Sequence, residues 1–238
     1  MLSVIIPTLN EEDNLPKLLE CIKNQTKTEL EIIVADAHSQ DRTREVAAAY
    51  GAGVIDGGLP GRARNLGALA ARGDLLLFLD ADVMLPAPDF CQKIIEEFGE
   101  RRLGIATCAL RPMSDKLSDK VFHKTYNFYT RTVGHFSPHT PGSCIFARKD
   151  VHEAIGGFDE EIKLAEDHDY AERASKITRF GILKSYPIMV SVRRFDRDGR
   201  LNIAIKYLLC EMYMKLKGPI KSDIFNYQFG YKKVESRK

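Results

Sequence analysis

Leu75-Leu76-Leu77-Phe78-Leu79-Asp80-Ala81-Asp82 decides the fold class. A short apolar run reads as a strand buried on both faces. It delivers two carboxylates, one residue apart, at its C-terminal end. Ligands in open α/β sheets bind just beyond the carboxyl ends of strands. Carboxylate oxygens suit Mg2+ or Mn2+, which bind to one or two acids plus substrate phosphates. The stretch therefore marks a place for a metal that holds a diphosphate. An Asp-rich turn after a strand is common, so the reading depends on what surrounds it.

Upstream, strands and helices alternate. Ser3-Val4-Ile5-Ile6-Pro7 is a β-branched strand leading into the polar turn Thr8-Leu9-Asn10-Glu11-Glu12, and Leu15, Leu18, Leu19 and Ile22 then fall at helical spacing. Leu30 to Ala35 is a second strand with Asp36 at its end. Ser39 reads as the N-cap of a helix to about Tyr50, with Gly51 as its stop. Val54-Ile55 is a short third strand, and Arg62 to Arg72 reads as a helix ended by Gly73. This β-α-β-α-β-α-β order predicts an α/β fold with a mostly parallel sheet covered by helices. Asp36 and the Asp80/Asp82 pair should face one edge of that sheet.

The second half is less regular. Helices are expected from Pro88 to Phe98, Ser118 to Val133, Lys149 to Ile155, Glu166 to Ile177 and Leu201 to Leu216. Strands are expected at Ile105 to Leu110, at Cys144 to Ala147 and within Phe180 to Val192. Ser137 to Ser143 reads as a loop. A further acidic run, Glu166-Asp167-His168-Asp169, is the third acidic point assigned to the rim.

Composition bounds the function classes. The 238 residues fit one large domain or one domain with an appendage, and 44% apolar content supports a real core. With 35 basic and 33 acidic residues the net charge is +2, so nothing global demands nucleic acid. The five scattered cysteines lack a Cys-x-x-Cys pair and point to a reducing compartment. Met1 leads directly into an apolar strand and no stretch reaches the ~18–20 apolar residues of a membrane span, so a cytoplasmic location is expected. His123, His135, His139 and His168 are not at the i, i+4 spacing of a helical metal pair, and zinc is not expected.

Five ordered motifs reach a family. Residues 3–12, then Asp36-Ala37-His38-Ser39-Gln40-Asp41-Arg42-Thr43, Gly61-Arg62-Ala63-Arg64-Asn65-Leu66-Gly67 and Leu79-Asp80-Ala81-Asp82 resemble the family 2 glycosyltransferases of the GT-A fold. Gly156-Gly157-Phe158-Asp159-Glu160, followed by Glu166-Asp167-His168-Asp169-Tyr170, resembles that family's acceptor-side acidic motif. The resemblance covers residues 3 to about 195. It implies a GT-A three-layer sandwich with a Rossmann-like nucleotide half at about 1–110 and an acceptor half at about 111–200. Residues 201–238 would form a C-terminal amphipathic helix and basic tail.

The resemblance also implies roles. Pro7, Asn10 and Glu11 line the nucleotide side, and Asp36 contacts the nucleoside. Arg64 and Asn65 close over the base or ribose, with Arg62 nearby. Asp82 ligates Mn2+ or Mg2+, and Asp80 contacts the ribose or the metal's shell. Asp167 is the general base, with Glu166 beside it. The implied reaction is metal-dependent transfer of a sugar, with inversion, from a nucleoside-diphosphate donor to a saccharide or polyprenyl-phosphate-linked acceptor. Two departures stand out. Ala37 replaces a second acid after the second strand, and Arg193-Arg194 stand where some members supply a metal-binding histidine, so guanidinium charge would offset the diphosphate.

Taken alone, Asp36 also suits turn duty, and Tyr126, Phe128 and Tyr129 read as helix-packing residues. Leu201, Ile205, Leu208, Leu209, Met212 and Leu216 form an apolar helical face flanked by lysines. Packing on the core is the default for this face. Attachment to an anionic membrane surface, helped by the tail lysines, or an oligomer contact is the alternative. Two rivals to the enzyme remain at this point: a non-catalytic nucleotide-sugar-binding or scaffold protein of the same fold, and a sugar-1-phosphate nucleotidyltransferase. The latter calls for a glycine-rich basic loop after the first strand, where Thr8-Leu9-Asn10-Glu11-Glu12 stands.

Overall fold

A computed structural model describes residues 1–134 and 138–222. The first half runs β1 (Leu2–Thr8), α1 (Leu15–Lys23), β2 (Leu30–Asp36), α2 (Thr43–Ala49), β3 (Gly53–Asp56), α3 (Pro60–Ala70) and β4 (Leu75–Leu79). After it come β5 (Val83–Met84), α4 (Phe90–Glu100), β6 (Ile105–Pro112), α5 (Leu117–Val133), β7 (Cys144–Arg148), α6 (Lys149–Ala154), α7 (Glu166–Ser175), β8 (Phe180–Val190), α8 (Arg193–Asp198) and α9 (Arg200–Lys217). The strands form one sheet in the order β3-β2-β1-β4-β7-β6-β8-β5. The β3-β2-β1-β4 ladder is parallel throughout. β7 runs antiparallel between β4 and β6, β8 is parallel to β6, and β5 is antiparallel to β8. The carboxyl ends of β1, β2, β4 and β8 consequently share one edge.

Alternation along the strands feeds two cores, because successive side chains point to opposite faces. Val4, Ile6, Leu77 and Leu79 pack with Leu15, Leu18 and Leu19 of α1 and Phe90, Ile94 and Phe98 of α4. Ile5, Leu76 and Phe78 pack with Ala68 of α3, Val151 of α6 and Tyr170, Ala171 and Ala174 of α7. Helices on both faces make the three layers. α3 lies close to β1: a Cβ on Gly67 would come within 2.3 Å of Ile5 Cγ2, so only glycine fits there.

Several expectations change at the element ends. α2 begins at Thr43 with no side-chain cap, and the Ser39 hydroxyl instead donates to Asp36 Oδ1 at 2.5 Å. The Thr43 N–H donates to Asp41 Oδ1 at 3.0 Å, which leaves Ser39 to serve the buried Asp36 carboxylate. α3 begins earlier than expected, with Pro60 in its first turn, where a missing N–H costs nothing. Strand β5 and helix α8 were not legible: each is short, and pairing with β8 creates β5. Phe128, read as a packing residue, is exposed. The apolar face of α9 is exposed at Leu201, Ile205, Leu208, Leu209, Met212 and Leu216, while Ile203 and Cys210 are buried, so the expected core-packing face does not pack on the described residues. His135 and the tail lysines Lys232 and Lys233 lie outside the described residues.

Candidate active site

The rim is built from turns that follow strand ends. Asn10, at positive φ (56°), bends the chain out of β1. Its N–H donates to Ser39 Oγ at 2.8 Å, and its side-chain oxygen accepts the Gln40 N–H at 2.8 Å. The Glu11 N–H donates to Thr43 Oγ1 at 2.8 Å. These bonds join the turn after β1 to the loop after β2. Asp36 lies at the floor of this junction with no exposed surface. It accepts the hydroxyls of Thr8 (2.9 Å) and Ser39 and the Ser39 N–H (2.9 Å). Fully buried, Asp36 presents no open surface to a ligand. Pro7 is half-buried at the end of β1.

Beyond β4 the carboxylates gather around a guanidinium. Arg193, at the start of α8, donates through two nitrogens to both oxygens of Glu11 (2.9 and 2.6 Å) and through Nε to Asp82 Oδ2 (2.8 Å). Burial, with Asp80 and Glu11 adding negative charge, pushes the Asp82 carboxyl up to about 6 against the pull of Arg193. Three acids crowded near one edge form a field that favours a cation, and hard oxygen donors suit Mg2+ or Mn2+. Asp80 and Asp82 therefore fit a divalent ion, with Arg193 and Arg194 next to the same ground. Arg194 is half-buried in the first turn of α8.

Arg64 joins this rim to the second acidic segment. Its side chain is 2% exposed and donates to Glu166 Oε1 at 2.6 Å, to Asp80 Oδ1 at 3.1 Å and to the Gly142 carbonyl at 3.2 Å. Arg64 and Glu166 are 102 positions apart in sequence. Burial works against the Arg64 charge, but Glu166, Asp80 and Asp167 outweigh it and raise its pKa. Burial raises the Glu166 pKa, opposed by Arg64. Asp167, one residue on, accepts the His168 N–H at Oδ1 (2.9 Å), and its carbonyl accepts the Thr140 hydroxyl (2.8 Å). Ala165, at φ 62°, turns the chain sharply into α7, which opens with Glu166, Asp167 and Asp169 in its first turn.

The Gly156-Gly157-Phe158-Asp159 turn packs beneath. Asn65 grips it, donating to the Phe158 carbonyl (2.9 Å) and accepting the Phe158 N–H (2.8 Å). Phe158 stacks on Tyr170 with ring centroids 4.0 Å apart. Arg64 and Asn65 are thus engaged with Asp80, Glu166 and this turn. Arg62 is exposed on α3. Asp169 pairs with Arg173 one turn on (2.7 Å), a structural i, i+4 contact.

A family model described as "Glycosyl transferase family 2" matches residues 3–156, well over half of the chain. The chain belongs to this family. Among curated relatives, the 4,4'-diaponeurosporenoate glycosyltransferase of Staphylococcus haemolyticus is 36% identical over 110 residues, covering 42% of this chain and 29% of its own length. Succinoglycan biosynthesis protein ExoA of Rhizobium meliloti is 26% identical over 192 residues, covering 73% of this chain and 57% of its own. This chain therefore spans less than two thirds of the length of these relatives. Among solved structures, the mannosyltransferase PcManGT of Pyrobaculum calidifontis, in complex with GDP-Man and Mn2+, superposes with a TM-score of 0.67 at 19% identity, covering 91% of this chain and 70% of that one. S. aureus TarS in complex with UDP-GlcNAc gives 0.63 at 21% identity, with 80% and 58% covered. These likenesses show the GT-A fold.

Three residues beside Asp167 carry no metal-site pattern in the sequence. Glu211 of α9 was read only as part of an amphipathic helix. His139 and His168 lack the i, i+4 spacing of a helical metal pair. The structure brings all three together beside Asp167. Helical spacing tests only for local metal pairs, and a loop meeting two helices leaves no periodic signal.

Proposed function

We propose that this family 2 member transfers a sugar from a nucleoside-diphosphate donor to an acceptor hydroxyl or phosphate, with inversion. The observation that carries this reading is the Asp80/Asp82 pair at the end of β4, tied through Arg64 to Glu166 and, one residue on, Asp167. The donor then lies over the carboxyl ends of β1, β2 and β4, with Pro7, Asn10 and Glu11 along its nucleotide side, Asp36 beneath the nucleoside and Arg62 at its margin. Asp82, with Asp80 beside it, would hold Mn2+ or Mg2+, which would supply neutralisation of the charge that develops on the departing diphosphate. Arg193 and Arg194 add positive charge on the same side. Asp167 accepts the proton of the attacking hydroxyl as the new glycosidic bond forms and the bond to the diphosphate breaks. One base with direct displacement inverts the anomeric centre.

The donors named in the TarS and PcManGT structures, UDP-GlcNAc and GDP-Man, set the panel that tests this. Thermal shift with UDP-, GDP- and dTDP-sugars, with and without Mn2+, should show one metal-dependent rise in melting temperature. Asp82→Asn should abolish it. Calorimetric affinity for the same nucleotide that is unchanged in Asp82→Asn with Mn2+ present would sink the proposal.

One specific observation favours a lipid-linked acceptor. No helix among the described residues is long and apolar enough to cross a membrane. Yet α9 exposes six large apolar side chains with Lys206, Lys215 and Lys217 on the same helix. Such a helix can lie in an anionic interface, each lysine contributing on the order of 1 kcal/mol. Flotation with anionic liposomes at low salt should carry the chain, and Leu208→Glu with Leu209→Glu should release it. Equal flotation of both, or of neither, removes the membrane role.

A further inference from the structure

We infer that His139, His168 and Glu211 form a second divalent-metal site, sharing no residue with Asp80/Asp82 and suited to a borderline ion such as zinc. The three side chains come from the loop before β7, from α7 and from α9, and one ligand atom of each lies within 4.8 Å of the others. His139 Nε2 is 2.8 Å from Glu211 Oε1. His168 Nδ1 is 3.4 Å from the same oxygen, is sealed from solvent, and makes no hydrogen bond of acceptable geometry among the described residues. The two imidazoles meet edge to face, with centroids 4.7 Å apart and planes crossing at 73°, so they do not stack.

Two imidazole nitrogens and one carboxylate oxygen are a familiar zinc donor set, leaving a fourth position open. With bonds of about 2.0–2.1 Å in a tetrahedron, donor atoms stand roughly 3.3 Å apart. The spread here closes to that value with small side-chain shifts. The surroundings fit as well. Ligation at Nδ1 leaves His168 Nε2 facing Asp167 Oδ1 at 3.9 Å, the arrangement of a ligating imidazole backed by a carboxylate. The Tyr129 hydroxyl reaches Glu211 Oε2 at 3.4 Å. Burial opposes charge on Glu211, yet the two imidazoles hold its carboxyl well below the usual range. Burial also opposes charge on His168, but Asp167, Glu211 and Glu166 raise its pKa. A cation among these three donors would offset the Glu211 charge. Either a metal ion supplies it, or a proton on His168 does. An ion here would clamp α9 to the loop and to α7, directly behind Asp167.

The full chain, stripped with chelator and desalted, should bind one equivalent of Zn2+ in competition with a chromophoric chelator. Asp82→Asn, in which the donor-side site is impaired, should bind it equally well. Glu211→Gln and His139→Gln should each weaken it by at least ~10-fold, the scale on which even supporting partners of a metal site act. Co2+ bound to wild type should give the visible d–d absorption of a tetrahedral ion. Loss of Zn2+ binding in Asp82→Asn, equal binding in Glu211→Gln, or no equivalent bound by wild type at micromolar Zn2+ would each overturn the site and leave the protonated imidazole in its place. If the variants fail to fold by circular dichroism in chelator, the Co2+ spectrum of Asp82→Asn decides alone: a tetrahedral spectrum supports the site and its absence overturns it. None of these readouts depends on glycosyl transfer, so they stand or fall apart from the proposed activity.

Discussion

The strand-end rim, proposed to hold the donor, and the cluster around Glu166 and Asp167, proposed to face the acceptor, hold comparable numbers of charged groups but are built in opposite ways. Glu11, Asp36, Asp80 and Asp82 each lie at a strand end or within a few residues of one, and the parallel ladder aligns them. Glu166, Asp167, His139 and Glu211 come from two helices and a loop, brought together only by tertiary packing. The rim's cation, Arg193, is 24% exposed, whereas Arg64, which serves the other side, is 2% exposed. Water reaches the guanidinium of Arg193 and not that of Arg64, while the carboxylates around both are largely buried. The rim can exchange its guanidinium for a metal and a diphosphate at modest cost. The cluster cannot lose a partner without stranding a buried charge.

The largest expected effect tests that contrast. Arg64→Met leaves Glu166 buried without its guanidinium, and breaking such a pair costs about 3–5 kcal/mol. Arg193→Met, whose guanidinium is 24% exposed, should cost less, because water can partly replace it beside Glu11 and Asp82. Urea denaturation of both variants measures the difference. Equal losses would mean that the two regions are screened alike and that Arg64 is no keystone.

The next effect is catalytic. If Asp167 is the proposed base toward the acceptor, Asp167→Asn should lower turnover by at least ~10²-fold while donor affinity stays near that of the wild type. Equal loss of donor binding and rate would move Asp167 to the donor site and erase the division drawn here. Retained turnover would point to an acceptor that is already ionised, such as a lipid phosphate.

The same contrast explains what could be read from the chain. The first four strands, their parallel order and the Asp80/Asp82 rim follow from local patterns: apolar runs of strand length, punctuated by turns. Asp36 is legible as an acid at a strand end, but its partners, the Thr8 hydroxyl and the hydroxyl and N–H of Ser39, are not, because they carry no periodic signal. Asn65 and Arg64 were visible as a motif, yet their partners Phe158 and Glu166 lie roughly a hundred positions away. α9 was legible as a helix, but not which face would pack. Its apolar stripe is exposed and the polar Glu211 turns inward, since two histidines and Tyr129 offer it partners there. Hydrophobic periodicity alone gives the opposite orientation.

The smallest effect concerns how the far end of α9 is held. Asp119 on α5 has no exposed side-chain surface. It accepts two bonds from Arg200, the first residue of α9 (2.5 and 3.0 Å), and the Ser114 hydroxyl (2.6 Å). Arg200, with Ser114 helping, holds the Asp119 carboxyl down to about 2. Its folded value is thus below the unfolded one of about 3.9. The stabilisation is complete above pH ~4 and is lost as pH falls through about 2, because the unfolded chain takes up the proton first. With Arg200 partly in water, the contribution is about 1–2 kcal/mol. Asp119→Asn should remove that amount at pH 7, flatten the acid limb of stability between about pH 4 and 2, and speed amide exchange at the start of α9. Nucleotide affinity should not change, since Asp119 touches nothing on the donor rim. If exchange in α9 stays slow, Glu211 and its histidines hold the helix unaided. If nucleotide affinity falls with it, α9 supports both regions, and the division between a strand-end rim and a cluster assembled by packing no longer describes this molecule.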